Sequence, residues 1–249
     1  MQSLLYKIMF LLFCISLLWG CASITQAQEK SNLAATYNVE LGLGYLQKGN
    51  LTRAKAKLLL ALNQSPNWPL ALDAMGYFLE KTGSPEEAEN YYKRAVVLAP
   101  KDGKVLNNYG AYLCRQKNKE KAEMYFLAAV KDPNYLTLAD AYENAGLCAL
   151  TIPNESKAMI YFEKALVKNP QQLSSIQELA KLHFKQKNYS QTLKYIDQYL
   201  AYSNKNSHML YLGYCAAFKM KNSSAESRYN ALLKHKQIRI NSNSCEKIQ

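Results

Sequence analysis

A glycine that recurs at nearly constant spacing limits the folds open to this chain more than any other feature. It occupies positions 42, 76, 110, 146 and 213, with alanine at position 180, so the steps are 34, 34, 36, 34 and 33 residues. Such a period is typical of repeats in which each unit is a pair of helices stacked on its neighbours. The sequence therefore predicts an all-α chain of six helix-turn-helix units.

Small and apolar residues recur around this glycine and fix the kind of repeat. In the first unit, Leu41 directly precedes Gly42, and Tyr45 follows one helical turn after Leu41. Ala54 and Leu58 lie on the predicted second helix. This pattern is typical of the tetratricopeptide repeat and predicts one superhelical array. The predicted array covers 34–237, with units at about 35–66, 69–100, 103–134, 139–170, 173–204 and 206–237, and 238–249 is predicted to be a loose C-terminal tail.

The first 20 residues have the composition of an export signal rather than of a repeat unit. A single cation, Lys7, precedes a run from Ile8 to Trp19 that is apolar except for one serine. The run is too short to span a bilayer and has the size of a signal-peptide core. It ends in Leu18-Trp19-Gly20-Cys21, which resembles the motif at which bacterial lipoproteins are cleaved and acylated.

Acylation of Cys21 would anchor the mature chain stably, since each buried methylene contributes about 0.8 kcal/mol and two or more acyl chains hold firmly. Ordinary secretory cleavage is the alternative, because Trp19 is larger than the residue usual at that position. The prediction is a lipoprotein signal peptide at 1–20 and a lipidated tether at 21–33. Ala22 follows the cysteine where aspartate would favour the inner membrane, which indicates the periplasmic face of the outer membrane.

Charge and motif content argue against nucleic-acid binding and against catalysis. The formal net charge is +12, but the cations are scattered over predicted second helices and loops, which favours a solvated basic surface. His183, one of three histidines, occupies a packing position of the fifth unit. No C-x-x-C, H-E-x-x-H, G-x-S-x-G or glycine-rich phosphate motif occurs. We therefore expect no catalytic residue, cofactor or metal site.

Four cysteines remain after residue 21, and an even number in an exported chain favours disulfide bonds. Cys114 and Cys148 each lie near the end of the first helix of their unit. Because successive first helices run side by side in this repeat, we predict a bond between them, with free thiols as the alternative. By elimination, Cys215 is the candidate partner of Cys245, a bond that would tie down the tail, and the sequence leaves this second pairing open.

Two cysteine-bearing motifs are more specific than the general repeat pattern: Asn107-Asn108-Tyr109-Gly110 with Leu113-Cys114, and Glu143-Asn144-Ala145-Gly146-Leu147-Cys148. Together with the signal and all six units, they resemble the type IV pilus biogenesis/stability protein family, called PilW or PilF. The resemblance implies an outer-membrane lipoprotein that acts as a pilotin, bringing the pilus secretin to the membrane and promoting its multimerisation. Some members instead chiefly stabilise the pilus fibre, and the resemblance does not choose between the two roles.

In tetratricopeptide repeats the first helices line a concave groove that suits an extended or helical peptide. The predicted groove is apolar in the first unit and polar further along. Local packing is the alternative for its apolar members, and bridging between adjacent helices is the alternative for its asparagines. The predicted partner-binding residues are Val39, Leu43, Leu46, Asp73, Tyr77, Asn107, Arg115 and Asn144.

These inferences combine into one expectation and one rival. We expect a non-enzymatic, lipid-anchored periplasmic protein whose partners are the type IV pilus secretin and, through Cys21, the outer membrane. The rival, which uses the same repeats and export signal, is a lipoprotein adaptor for peptidoglycan enzymes. A pull-down from solubilised envelopes separates them, because the first predicts secretin subunits and the second predicts cell-wall enzymes.

Overall fold

Twelve α-helices make up the part of the chain that this computed structural model describes, which is residues 28–151, 154–203, 206–238 and 245. No β-strand lies in those ranges, and none of their helices combines the length and hydropathy needed to cross a membrane. The predicted all-α fold of tetratricopeptide helix pairs is confirmed. The helices are α1 (28–47), α2 (Leu51–Gln64), α3 (Pro69–Lys81), α4 (Pro85–Leu98), α5 (Gly103–Arg115), α6 (Lys119–Ala129), α7 (Leu138–Leu150), α8 (Glu155–Lys168), α9 (Leu173–Lys185), α10 (Tyr189–Tyr202), α11 (Ser207–Lys219) and α12 (Ser223–His235).

The chain forms two compact units, Met1–Tyr109 and Gly110–Gln249, and the boundary falls inside α5. In the first unit α3 packs against α2 and α4, and the cluster around Leu72 includes Ala95 of α4. In the second unit each described helix packs against its neighbour in sequence, from α6 to α12. The repeat period alone does not indicate this boundary.

The recurring glycine has a packing cause, which Gly110 and Gly146 illustrate in the second unit. A Cβ atom on Gly146 would lie 2.6 Å from the ring of Phe162, and one on Gly110 would lie 2.9 Å from Phe126. Those separations are far shorter than ordinary carbon contacts. The first helix of a pair therefore crosses a large aromatic ring of the second helix at a position where only hydrogen fits.

A left-handed residue and a capping asparagine mark the turns between paired helices. Gly49 and Gly83 take the left-handed position in the first unit, with φ of 73° and 88°. Lys117, Lys187 and Lys221 take it in the second unit, with φ of 63°, 60° and 55°. Several of the asparagines that follow accept a hydrogen bond from the backbone of the next helix, which satisfies an otherwise free N–H group. These capping residues are Asn50, Asn188 and Asn222, and Asn154 caps α8 in the same way.

Residue 28, where the described part of the chain starts, is already helical, so α1 includes residues that the sequence assigned to the tether. The hydroxyl of Ser31 donates to the backbone carbonyl of Gln64 at 2.5 Å, and the amide of Asn38 donates to the Gln64 side chain at 2.9 Å. These bonds hold the first turns of α1 against the end of α2. Residues 28–33, predicted as part of the tether, are therefore helical, whereas the signal peptide, Cys21 and most of the tail lie outside the described residues.

Candidate partner-binding surface

The apolar residues predicted to line the groove of the first unit are largely covered. Val39 is 1% exposed, so the prediction that it faces a partner is wrong. Leu43 and Leu46 are half-buried. Leu41, which belongs to the repeat pattern beside Gly42, is 49% exposed. The repeat pattern thus located the helix but misassigned which of its apolar side chains reach solvent.

Asp73 and Asn107, predicted as polar groove residues, are buried as well. The Asp73 carboxylate accepts a hydrogen bond of 2.6 Å from the amide of Asn108, which joins α3 to α5. Its other oxygen, Oδ1, has no hydrogen-bond partner among the described residues. Burial raises the pKa of Asp73 to about 7, although Asn108 and Lys104 favour the charged form. Asp73 therefore links two helices inside the unit, and its assignment to an open groove is wrong.

The second unit contains polar links of the same kind between successive first helices. Glu143 of α7 accepts hydrogen bonds from the backbone and the hydroxyl of Ser175, at 3.0 and 2.8 Å. Gln177 of α9 accepts one of 3.2 Å from Asn206, which precedes α11. Polar residues on the first helices thus hold neighbouring repeats together, which is the bridging alternative considered for the asparagines.

The remaining members of the predicted set keep some access to solvent. Tyr77 and Arg115 are exposed, and Asn144 is half-buried. The ammonium of Lys81 lies 5.4 Å from the centre of the Tyr77 ring. Tyr77 belongs to the first unit, whereas Arg115 and Asn144 belong to the second. Of the predicted groove residues in the first unit, Tyr77 is the most exposed, at 39%.

Helix α1 carries exposed apolar side chains on a different surface of the first unit, and sequence reasoning missed it. Tyr37 is 59% exposed and precedes Leu41 by one helical turn on the outer side of α1. We call Tyr37, Leu41 and Tyr45 the α1 apolar surface. A Cβ atom on Gly44 would meet nothing within 4 Å, so the surface is open there. The cavity along it has about 430 Å³ and is lined by Tyr37, Glu40, Leu41, Gly44, Tyr45 and Lys48.

The position of α1 in the array explains why this surface is exposed. Met75, which occupies in α3 the place that Leu41 occupies in α1, is buried. No described helix precedes α1, so within the described residues no earlier repeat packs on the side chain that corresponds to Met75. The signal available in the sequence was the four-residue spacing of Tyr37, Leu41 and Tyr45.

Both predicted cysteine pairs are bonded in the second unit. Cys114 of α5 joins Cys148 of α7, with Cα atoms 5.8 Å apart. Cys215 of α11 joins Cys245, with Cα atoms 5.3 Å apart, and both residues belong to one buried cluster. Residue 245 of the tail is therefore held against α11.

Sequence comparison finds relatives over most of the chain. A family model described as tetratricopeptide repeat matches residues 74–135. The type IV pilus assembly protein PilF of Pseudomonas aeruginosa is 33% identical over 196 residues, which are 79% of this chain and 78% of that protein. An uncharacterised protein of Haemophilus influenzae is 40% identical over 130 residues, covering 52% of this chain and 73% of that protein.

Comparison with solved structures agrees with the sequence matches. A structure of Pseudomonas aeruginosa PilF aligns with a TM-score of 0.71 and 32% identity, covering 83% of this chain and 93% of that one. A structure of PilW, described as a widely conserved type IV pilus biogenesis factor, aligns with a TM-score of 0.67 over 81% of this chain and 92% of its own, at 24% identity, and so shows a shared fold. The sequence identity to PilF extends over nearly four fifths of the chain, and it establishes that the two proteins belong to one family. The chain belongs to the PilF/PilW family of tetratricopeptide-repeat proteins.

Proposed function

We propose that this protein is a non-enzymatic scaffold of type IV pilus biogenesis that binds the pilus secretin and promotes its multimerisation. The observation that carries the proposal is 33% identity over 79% of the chain to a protein named for type IV pilus assembly. A tetratricopeptide fold supports a role in binding protein segments rather than in catalysis. Acylation of Cys21, and with it a place on the periplasmic face of the outer membrane, is the anchoring part of the proposal. Stabilisation of the pilus fibre is an additional role that the same scaffold would serve.

The α1 apolar surface is the proposed docking site for a secretin segment. Its exposed tyrosine and leucine are one helical turn apart, which matches the spacing of apolar anchors on an amphipathic helix. Glu40 and Lys48 lie at the edge of the cavity and give it a polar rim that holds both signs of charge. An apolar centre with a polar rim is the usual anatomy of a specific interface.

A double substitution on α1 tests this docking site. Tyr37→Glu with Leu41→Glu should lower the amount of secretin multimer by about tenfold or more, since anchor side chains at interfaces contribute more than about 1 kcal/mol each. Both side chains are exposed, so helix formation should persist. Immunoblots of envelope fractions for the multimer, together with a twitching assay, give the readout.

The matched control is Leu59→Glu with Leu60→Glu, which introduces the same two charges at exposed positions of α2. Wild-type multimer levels in the α1 variant would rule out this docking site. A pull-down with the unmodified protein then separates the wider alternatives. Recovery of peptidoglycan enzymes without secretin subunits would replace the pilus scaffold by a cell-wall adaptor.

The anchoring part of the proposal has its own test. The N-terminal peptide of the protein isolated from envelopes should begin at Cys21 and carry the mass of two or three acyl chains. A Cys21→Ala variant should move from the membrane fraction to the soluble periplasmic fraction. An unmodified Cys21 in the isolated protein would leave ordinary secretory cleavage as the correct interpretation.

A further inference from the structure

A second cavity lies at the N-terminal half of α1 and has no part in the proposed secretin site. It has about 500 Å³ and includes the indole of Trp68, which stands immediately before α3. Leu33 is 54% exposed at this cavity, and the bond of Ser31 to Gln64 fixes the surrounding turn. The residues that line the cavity are Gln28, Glu29, Asn32, Leu33, Thr36 and Trp68.

This cavity lies close in sequence to the proposed lipid anchor. Gln28, which lines the cavity, is seven residues after Cys21. Seven residues span at most about 25 Å even when fully extended. A surface held so near a bilayer meets it at an effective concentration of about millimolar or higher, so even a weak contact is populated.

The chemistry of the cavity suits the boundary between lipid headgroups and acyl chains. Tryptophan is enriched at that boundary because its ring is apolar and its N–H group is a hydrogen-bond donor. The Nε1–H group of Trp68 is buried and has no acceptor among the described residues, so only other parts of this half-buried residue are open to solvent. Lys30 is exposed on the same helix beside Glu29, and its charge offsets that of the carboxylate where the surface would meet anionic lipid.

We propose that the N-terminal half of α1 is a membrane-contact surface, at which Leu33 and Trp68 enter the headgroup region of a phospholipid bilayer. This inference rests on the proposed anchoring through Cys21. Contact at Leu33 leaves Leu41 about 12 Å further along the helix, given a rise of 1.5 Å per residue. The contact thus orients the first unit and keeps the α1 apolar surface available to a protein partner.

The tryptophan content of the chain supplies a direct test. The chain has two tryptophans, Trp19 and Trp68, so a protein that begins at Cys21 reports on Trp68 alone. The thiol of Cys21 is coupled to a maleimide lipid in vesicles of phosphatidylethanolamine and phosphatidylglycerol with brominated acyl chains. Bromine quenches tryptophan only at short range, so we expect Trp68 fluorescence to fall at least about twofold relative to vesicles without bromine.

Two variants make the test specific to this face. Leu33→Glu should abolish the quenching, because a charge would have to enter the headgroup boundary, whereas Leu59→Glu on α2 should leave it unchanged. Circular dichroism checks that both variants remain helical. Absence of quenching in the tethered wild-type protein, or equal quenching in Leu33→Glu, would overturn the proposal.

The chemical tether separates this inference from the proposed function. Since the maleimide lipid replaces natural acylation, a failure of acylation in the cell leaves the vesicle result valid. Conversely, a protein that is acylated in the cell but unquenched on vesicles refutes the membrane-contact surface alone. If acrylamide quenches Trp68 equally with and without lipid, another part of the chain rather than the bilayer covers the cavity. That result would also refute the membrane-contact surface.

Discussion

Asp73 is the residue of the first unit at which burial and charge oppose each other most directly. Its carboxylate is 4% exposed, accepts one hydrogen bond from Asn108 and leaves Oδ1 without a partner in the described residues. A buried carboxylate with one unsatisfied oxygen is costly in its charged form. Burial accordingly raises the pKa of Asp73 from 3.8 to about 7.

This pKa shift predicts a pH-dependent effect of Asp73→Asn. Between about pH 4 and 7 the folded chain holds a proton that the unfolded chain has lost, so the contribution of Asp73 to stability falls as the pH rises through that window. Above pH 7 the full cost, on the order of 4 kcal/mol at most, is present. Asparagine stays neutral and still accepts the bond from Asn108. The variant should therefore gain stability over the parent at pH 8, and the gain should shrink at pH 5.

Urea unfolding at pH 5, 6.5 and 8 measures the difference between variant and parent. Glu40→Gln removes an exposed carboxylate from the same unit and serves as the control, which should show no comparable trend. A stability difference for Asp73→Asn that is equal at pH 5 and pH 8 would show that the buried carboxyl does not titrate in this range.

Two glycine substitutions should act in opposite directions. An added methyl at Gly110 would lie 2.9 Å from Phe126 and 3.1 Å from the backbone oxygen of Ala122, so Gly110→Ala should destabilise by about 1–3 kcal/mol. Gly44 is helical and open, so Gly44→Ala should stabilise by about 0.5–1 kcal/mol. Thermal unfolding measures both, and a loss of stability in Gly44→Ala would contradict the open space described there.

The caps of the second helices make an element-scale comparison possible. The side chain of Asn222 accepts a 3.1 Å hydrogen bond from the backbone N–H of Ala225 at the start of α12. Asn118 holds the same place before α6, but its side chain makes no capping bond. Asn222→Ala should therefore cost about 1 kcal/mol of unfolding free energy, and Asn118→Ala clearly less. Similar losses in the two variants, measured by urea unfolding, would contradict the role given to the cap.

At the scale of elements, the sequence located most helices well and misjudged the faces of α1. The recurring glycine and the small residues around it have a local cause, which is the close crossing of the two helices of a pair. Because every repeat contains this crossing, the same residue types recur at a fixed spacing in the sequence. The exposure of Leu41 instead depends on what stands before α1, and no local pattern reports that. The helical state of residues 28–33 was missed for the same reason, because Ser31 is fixed by Gln64, 33 residues later.

The polar members of the candidate groove show a second limit. A period identifies the place of Asp73 and Asn107 on their helices but not whether a polar side chain there faces a ligand or the next helix. The bond from Asn108 to Asp73 decides the question, and it depends on the contact between two helices. The cysteines were easier to assign, because Cys114 and Cys148 each lie near the end of the first helix in adjacent repeats.

At the scale of the whole molecule, the two disulfide bonds are distributed unequally between the two units. Both lie in the second unit, and no cysteine occurs between residues 22 and 109. Closing a loop of 34 residues stabilises a folded chain by about 3–4 kcal/mol in the chain-entropy model. The covalent constraint therefore acts on the second unit directly.

Reduction should loosen the second unit more than the first. After treatment with dithiothreitol, amide hydrogen exchange should accelerate in α7 and α11, which carry Cys148 and Cys215, and change less in α3 and α4. A Cys114→Ser, Cys148→Ser variant should reproduce the effect in α7 without reductant. Equal acceleration throughout the described helices would contradict a constraint confined to one unit.

The left-handed lysines at the helix turns have a consequence for protein engineering. A residue with a side chain costs about 1–2 kcal/mol in that conformation, and glycine avoids the cost. Lys117, Lys187 and Lys221 hold places that glycine holds in the first unit, so Lys→Gly changes there should each stabilise the chain. All three lie outside the first unit and its two proposed contact surfaces. These substitutions should therefore give a more stable variant of the protein for structural studies of its complexes, and both proposed contact surfaces would remain unchanged.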